Sequence, residues 1–387
     1  MLQHFCGLEE SNNSFSCPTC SSFFAFVIMF TYMNFKETKE KILNKLSNNV
    51  GIDLGTANTL VYVEGKGIVV SEPSVVAVNE KTGQVVAVGR TAKEMLGRTP
   101  AHIKAVRPLV DGVISDFEVT EEMIAYLLKQ AGEYMPKKLL GPRVVVGVPS
   151  GVTNVEVRAV RDATKNAGAR EVYVVEQPIA GAVGIRLPIF EPIGSMVMDI
   201  GGGTADIAVI SLGGIVQSKS LKIAGDKLNN DIISYIRNEF KILIGETTAE
   251  YIKIAVGAVV PGEPLETTIR GRDLITGLPR EVVITDSDVR EAIGQSIEVI
   301  VNSTREVIET TPPEILADIM KRGIFLVGGG ALIKGLDRLL SESLQLPVTI
   351  AEDPLTAIAR GAGIILENLE KYNSILLQSE DDIHRKK

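Results

Sequence analysis

The sequence predicts an α/β protein of two similar domains, each a mixed sheet with flanking helices, arranged around a central cleft. Three observations carry that prediction. A strand–turn–strand device rich in Gly and Thr occurs twice. Strands and helices alternate between and after the two copies, as in sheets covered on both faces. The chain has 387 residues, more than one hydrophobic core organises.

The first copy is Ile52-Asp53-Leu54-Gly55-Thr56-Ala57-Asn58, followed by the apolar Leu60-Val61-Tyr62-Val63. The second is Met198-Asp199-Ile200-Gly201-Gly202-Gly203-Thr204-Ala205-Asp206, followed by Ile207-Ala208-Val209-Ile210. Each reads as an apolar strand ending in Asp, a tight turn and a return strand. A device found twice suggests one per domain.

Between the copies, Arg143 to Val148 reads as a buried strand. Thr153 with Glu156 has the capping-box pattern. Val157, Val160, Ala163 and Ala167 follow at helical spacing, and Gly168 fits the residue just past the helix end. Val172 to Val175 reads as a strand, and Pro178 opens a small-residue helix through Ile185. After the second copy, helices are expected over Asp226–Phe240 and Asp286–Glu309, and from Pro313 at a first helical position. Gly323 to Val327 reads as a strand, then Gly328-Gly329-Gly330, then a helix over Leu332–Leu344. Val348–Ile350 is a last strand and Ala357–Leu369 a last helix. Arg270 to Ile284 is polar and broken by Gly, with one strand near its end. The alternation implies mostly parallel pairing.

Composition excludes several classes. The net charge of -8 argues against a nucleic-acid surface, which needs clustered Lys and Arg. No stretch approaches the ~20 apolar residues of a membrane span. The cysteines are Cys6, Cys17 and Cys20, so the main body uses neither disulfides nor thiolate metal sites. Cys17 and Cys20 form a lone CxxC without the second ligand pair a zinc site needs. The apolar run Phe23 to Phe30 lacks a basic segment before it, and Leu8-Glu9-Glu10 is acidic, unlike a secretory signal. The natural start is expected at Met33.

A strand that ends in Asp and turns through Gly and Thr clusters backbone N–H groups into an anion nest suited to phosphate. Gly permits the close approach and the positive φ of such turns. The strand-end Asp53 and Asp199 are then placed to hold Mg²⁺ through water. One such hairpin alone reads more readily as an ordinary tight turn; two with matching Asp positions can grip one triphosphate from both sides. The junction Gly328-Gly329-Gly330-Ala331 fits a nucleotide face or a plain β–α turn.

Asp53-Leu54-Gly55-Thr56, Asp199-Ile200-Gly201-Gly202-Gly203-Thr204 and Val327-Gly328-Gly329-Gly330 resemble the two phosphate motifs and the adenosine motif of the actin/sugar-kinase/DnaK-type ATPases. Longer strings resemble the MreB family: Gly51 to Thr59, Gly97-Arg98-Thr99-Pro100, Arg107-Pro108 with Asp111 to Ile114, Gly194 to Val197, Ile223-Ala224-Gly225-Asp226, and Thr311-Pro312-Pro313-Glu314. The resemblance runs from about Val50 to about Leu369.

This resemblance implies an actin-like fold: an N-terminal extension over 1–49, a domain over 50–195 with a small subdomain near 75–120, and a domain over 196–369 with one near 226–288. The last helix, 357–369, would pack back on the first domain, and 370–387 would be a polar tail. It implies Thr56, Ala57, Asn58, Gly202, Gly203 and Thr204 on the phosphates of ATP. Glu246, Thr247, Thr248 and Ala249 would face ribose and base, although Thr247 stands where the family usually has Arg. Gly328, Gly329, Gly330 and Ala331 would pack beside adenine. The family's Glu-Glu-Pro reads Glu176-Gln177-Pro178 here, so Gln177 takes the water-orienting slot, as a Gln does in actin. Gln orients a water but is no general base. Glu176 remains the alternative base, and Thr204 completes the catalytic set. Slow, assembly-dependent hydrolysis is expected.

The resemblance also implies homopolymer filaments at the inner face of the cell membrane, guiding wall-synthesis membrane proteins and maintaining cell shape. The membrane loop matches Met135 to Leu140, where Leu139 and Leu140 lie beside two lysines; leucines folded back on the core are the alternative. Met33 to Asn48 is a basic amphipathic pattern with a thin apolar face, equally a solvated helix. A DnaK-like chaperone would need further domains after the ATPase, where only 370–387 follow. A sugar kinase would need a substrate-activating Asp that no motif supplies. An FtsA-like protein would need an inserted subdomain and a C-terminal membrane helix.

Overall fold

Asp53 and Asp199 occupy the same place in two copies of one sheet. The computed structural model describes Leu43 and residues 46–377, so the expectations for the cysteines, Met33, most of the amphipathic segment and most of the polar tail lie outside the described residues. The chain divides into two compact units, Met1–Ser47 and Asn48–Lys387; the second carries the fold.

Its first lobe begins with strands β1 (Asn49–Leu54), β2 (Asn58–Val63) and β3 (Gly67–Pro73). Strands β4 (Val76–Asn79) and β5 (Val85–Val88), helix α1 (Arg90–Met95) and β6 (Ile103–Val106) form a small three-stranded platform in the order β5-β4-β6. A short ladder, β7 (Leu109–Val110) with β8 (Val113–Ile114), leads to α2 (Phe117–Gly132). Then come β9 (Arg143–Val148), α3 (Asn154–Asn166), β10 (Glu171–Glu176) and α4 (Gln177–Gly184). The strand over 143–148 and the Thr153/Glu156 capping box are as the sequence predicts, and Gly168 sits at φ 106° just past the helix.

The second lobe opens with β11 (Ser195–Ile200), β12 (Ala205–Ser211) and β13 (Gly214–Leu221). Helix α5 (Gly225–Tyr235) runs on as a π turn to Phe240. β14 (Ile242–Leu243), α6 (Glu246–Val256), β15 (Glu266–Asp273) and β16 (Pro279–Thr285) make its smaller part. There follow α7 (Asp286–Glu309), α8 (Pro313–Arg322), β17 (Ile324–Val327), α9 (Leu336–Leu344) and β18 (Val348–Ile350). Helices α10 (Ala357–Glu367) and α11 (Leu369–Tyr372) and strand β19 (Leu376–Leu377) end the described chain.

Read from β3, the first sheet runs β3-β2-β1-β9-β10-β19, and the second runs β13-β12-β11-β17-β18. Each is an antiparallel meander followed by two parallel strands, to which the first sheet adds β19 antiparallel at its edge. The sheets are therefore mixed, not mostly parallel, because each copy of the repeat contributes a hairpin. Asp53 pairs with Leu60 on one side and Gly147 on the other, and Asp199 with Asp206 and Val327. Each Asp is the penultimate residue of its central strand.

Two local expectations need correction. Arg270 to Ile284 belongs to a hairpin of two strands, closed where Asp273 Oδ1 accepts from the N–H groups of Ile275 and Thr276 at 2.8 and 2.9 Å. Its inward-facing positions include Thr267, Gly271 and Asp273 beside Ile269, so the apolar alternation that marks a strand is masked. The expected helix from Leu332 starts at Leu336, because Gly335 holds φ 76° and breaks the turn that Gly329–Leu332 begins.

Each lobe has its own core, and a third lies between them. It joins Val145 and Val175 of the first sheet to Val197, Ala208, Ile210 and Val327 of the second through α4 and α10. The two helices cross so closely that a Cβ on Gly361 would sit 1.8 Å from the Ala180 carbonyl, and one on Gly184 1.9 Å from that of Ala357. On its other side α10 lies against β1, where a Cβ on Gly51 would meet Gly363 N at 2.6 Å.

Candidate functional site

The two Asp-ended hairpins meet tip to tip. A Cβ on Gly202 would lie 2.5 Å from Ala57 Cβ, and one on Gly203 2.5 Å from Thr56 Oγ1. Gly55 and Gly201 to Gly203 all lie outside the left-handed region. Close approach, not the positive φ the sequence suggested, requires glycine at Gly55, Gly202 and Gly203. Each turn is braced from its own lobe. Ser74 Oγ donates to the Gly55 carbonyl at 2.6 Å, Gly112 N–H donates to Thr56 Oγ1 at 3.0 Å, and Asp226 N–H donates to the Gly202 carbonyl at 2.8 Å.

Around this junction lies a cavity of about 440 Å³. Asp53, Thr56, Ala57, Asn58, Gln177, Asp199, Gly202, Gly203, Thr204, Gly328, Gly329 and Gly330 all line it. Six other predicted residues do not. Glu246, Thr247, Thr248 and Ala249 open α6, but the wall is made one turn later by Glu250, Lys253 and Ile254. Residues four apart share a helix face, so the predicted string marks the right helix one turn early. Ala331 is buried in the second lobe's core, and Leu332, Ile333 and Lys334 line the cavity instead. Glu176 is also off the cavity, its Oε1 accepting from Gly151 N–H at 3.4 Å, while Gln177 faces in. The alternation along a strand end separates the neighbours. Burial is the largest cause of a raised Glu176 pKa.

Lys93, Arg107, Asp226 and Asn229 also line the cavity and were not singled out as site residues. Arg107 and Asp226 lie in the strings that carry the family resemblance; Lys93 and Asn229 gave no signal.

The floor is acidic. Asp53 and Asp199 are 8% and 3% exposed. Burial pushes Asp53 up to about 6, opposed by the hydrogen bond that Gln177 Nε2 donates to its Oδ1 at 3.0 Å. Asp199 is pushed well above the usual carboxylate range, first by burial and then by the charges of Asp206 and Asp53. Its Oδ1 has no hydrogen-bond partner among the described residues, and it faces Gly328, where φ is 81° and a Cβ would sit 2.3 Å away. Nearby, Asp206 Oδ1 accepts from Ser150 N–H across the lobes at 3.1 Å. Lys253, buried in the wall with its Nζ donating to the Gly225 carbonyl at 2.8 Å, has its pKa lowered mainly by burial.

Buried carboxylates with an orphaned oxygen suit a cation. Among the described residues no three His, Cys, Asp or Glu side chains converge as a metal cage. The donor set therefore fits a hard ion that keeps its waters and takes phosphate oxygens, as Mg²⁺ does, with Asp53 and Asp199 as its protein carboxylates.

The twin sheets and their shared cleft define an actin-like fold, and known proteins agree. The double helical filament of MamK has the same fold at a TM-score of 0.72 and 24% identity, covering 83% of this chain and 99% of that one. The crystal structure of MreB5 of Spiroplasma citri bound to ADP aligns at a TM-score of 0.80 and 39% identity, over 84% of this chain and 98% of that one. The sequence profile described as MreB/Mbl protein matches residues 47–374. The cell shape-determining protein Mbl of Bacillus subtilis is 50% identical over 327 residues, 84% of this chain and 97% of its own length. The cell shape-determining protein MreB of Escherichia coli K12 is 48% identical over 348 residues, 88% and 99% respectively. The chain belongs to the MreB/Mbl family.

Proposed function

We propose that this protein binds ATP with Mg²⁺ between its two hairpins, polymerises in that state, and serves as a cytoskeletal filament that maintains cell shape. The observation that carries the reading is the tip-to-tip contact of two equivalent hairpins, each with a buried Asp facing one cavity. Relatives named cell shape-determining proteins and the ADP- and AMPPNP-bound MreB5 crystals support it.

In the proposed chemistry the backbone N–H groups of both turns, with Thr56 and Thr204, receive the phosphates. Asp53 and Asp199 would hold Mg²⁺ through water, and the ion would supply neutralisation of phosphate charge. Gln177 donates its amide N–H to Asp53, which leaves its carbonyl oxygen to accept from a water in line with the γ phosphate. Lacking a basic group in that slot, hydrolysis is slow and follows assembly. The wall formed by Glu250, Lys253 and Ile254, facing Leu332 and Ile333, receives ribose and adenine.

The reading extends to the inner face of the cell membrane. No helix among the described residues is long and apolar enough to cross a membrane. Leu139 is 84% exposed on the loop between α2 and β9, with Leu140 half-buried behind it. An apolar tip beside Lys137 suits an anionic interface. Filaments held there would guide wall-synthesis proteins.

Two measurements test this. Titration calorimetry with ATP and Mg²⁺ is expected to give a saturable heat, and ATP is expected to drive the protein into a pellet on ultracentrifugation. A chain that binds no nucleotide sinks the proposal. Co-sedimentation with anionic vesicles is expected to drop at least about fivefold in a Leu139→Ser/Leu140→Ser variant; unchanged binding removes the loop from the membrane reading.

A further inference from the structure

The front of the cavity is strapped by ion pairs that all run from one lobe to the other. Lys93 Nζ lies 2.7 Å from Glu250 Oε2. Arg107 reaches both Asp226, at 3.5 Å, and Glu246. Lys93 and Arg107 come from the first lobe, and Asp226, Glu246 and Glu250 from the second. Four of these five residues line the cavity itself; Glu246 stands just outside it. The Lys93 and Glu250 side chains are 29% and 28% exposed, so the pair is partly buried and not a fully solvated surface contact.

Lys93 is carried on α1, and α1 is packed on a separate small core of Val75, Ala77 and Ala92. The other face of the platform joins the first lobe's main core through Val76 and Val88. The outer edge of the platform, which carries α1, is tied across the cleft to α6 by the Lys93–Glu250 ion pair. Glu250 stands on α6 of the second lobe.

We infer that the Lys93–Glu250 pair, backed by Arg107, is a latch that sets how fast nucleotide leaves the cleft. This rests on the nucleotide reading above. A ligand in the cavity is enclosed by the hairpins behind and by the strap in front, and release requires the platform to swing away from α6. The half-buried pair is the contact that must break.

The test is stopped-flow release of a fluorescent N-methylanthraniloyl-ADP from the full chain with Mg²⁺. Lys93→Glu and Glu250→Lys are each expected to speed release about tenfold, and the double swap to restore it within about threefold of the parent. Raising ionic strength is expected to speed release from the parent but not from a Lys93→Gln/Glu250→Gln variant, since that variant has no charge pair to screen. A double swap as fast as either single overturns the latch, as do single variants within about twofold of the parent. If the parent itself holds no nucleotide, the nucleotide reading fails, and the latch with it. If the parent binds and the variants do not differ, only the latch fails.

Discussion

The two glycine hairpins occupy equivalent positions and solve different problems. The first has a single glycine, Gly55, and makes its turn with Thr56, Ala57 and Asn58, whose side chains supply the surface the other hairpin leans on. The second has three glycines in a row, and two of them, Gly202 and Gly203, are where a Cβ would strike Ala57 and Thr56. One loop provides the atoms and the other provides the room. Their carboxylates differ in the same way. Asp53 has Gln177 as a partner and rises only to about 6. Asp199 has two neighbouring carboxylates, and its Oδ1 has no hydrogen bond. The acidic half of the site that is least satisfied without a cation belongs to the loop with the least side chain.

The division of labour is open to direct attack. Gly202→Val is expected to weaken ATP binding more than about 1000-fold by calorimetry, because backbone and Ala57 leave no space for it. Gly201→Ala, whose Cβ meets nothing nearer than the Thr204 carbonyl at 3.4 Å, is expected to cost less than about threefold. Equal losses would erase the distinction between the two glycines.

The carboxylates come next. Because folding raises the Asp53 pKa from 3.8 to about 6, its contribution is favourable below 3.8 and is lost as pH rises through about 6. The loss amounts to about 3 kcal/mol. Urea titrations of the nucleotide-free protein are expected to show Asp53→Asn more stable than the parent at pH 7 and indistinguishable from it near pH 3.8. Asp199→Asn is expected to stabilise more than Asp53→Asn, and both are expected to abolish the stabilisation that Mg²⁺–ATP gives the parent. A smaller gain at Asp199 would contradict the asymmetry.

The smallest effect concerns rate alone. Gln177→Ala is expected to slow phosphate release about tenfold while leaving ATP affinity within about threefold. Glu176→Ala, off the cavity, is expected to leave the rate near that of the parent. Full loss only in the Glu176 variant would move the catalytic role to that residue.

Much of this was legible because it is local. A strand ending in Asp, its Gly/Thr turn and its return strand are contiguous, and so is the Thr153/Glu156 cap; neighbours in sequence state their own geometry. What stayed hidden depends on distant partners or on helix phase. Lys93 is an ordinary surface lysine until α6 arrives opposite it. The string Glu246 to Ala249 names the correct helix, but which turn faces the cavity is set by how α6 packs on its lobe. The hairpin of β15 and β16 escaped notice since Thr267, Gly271 and Asp273 share its inward face with Ile269, and the apolar alternation is lost.

The crossing of α4 and α10 carries one more consequence. With Gly184 and Gly361 facing carbonyl oxygens at distances no methyl group tolerates, the two helices touch like bare shafts at a pivot. Such a bearing permits turning and forbids spreading. Any residue larger than glycine at either crossing would force the two helices, and with them the two halves of the molecule, apart.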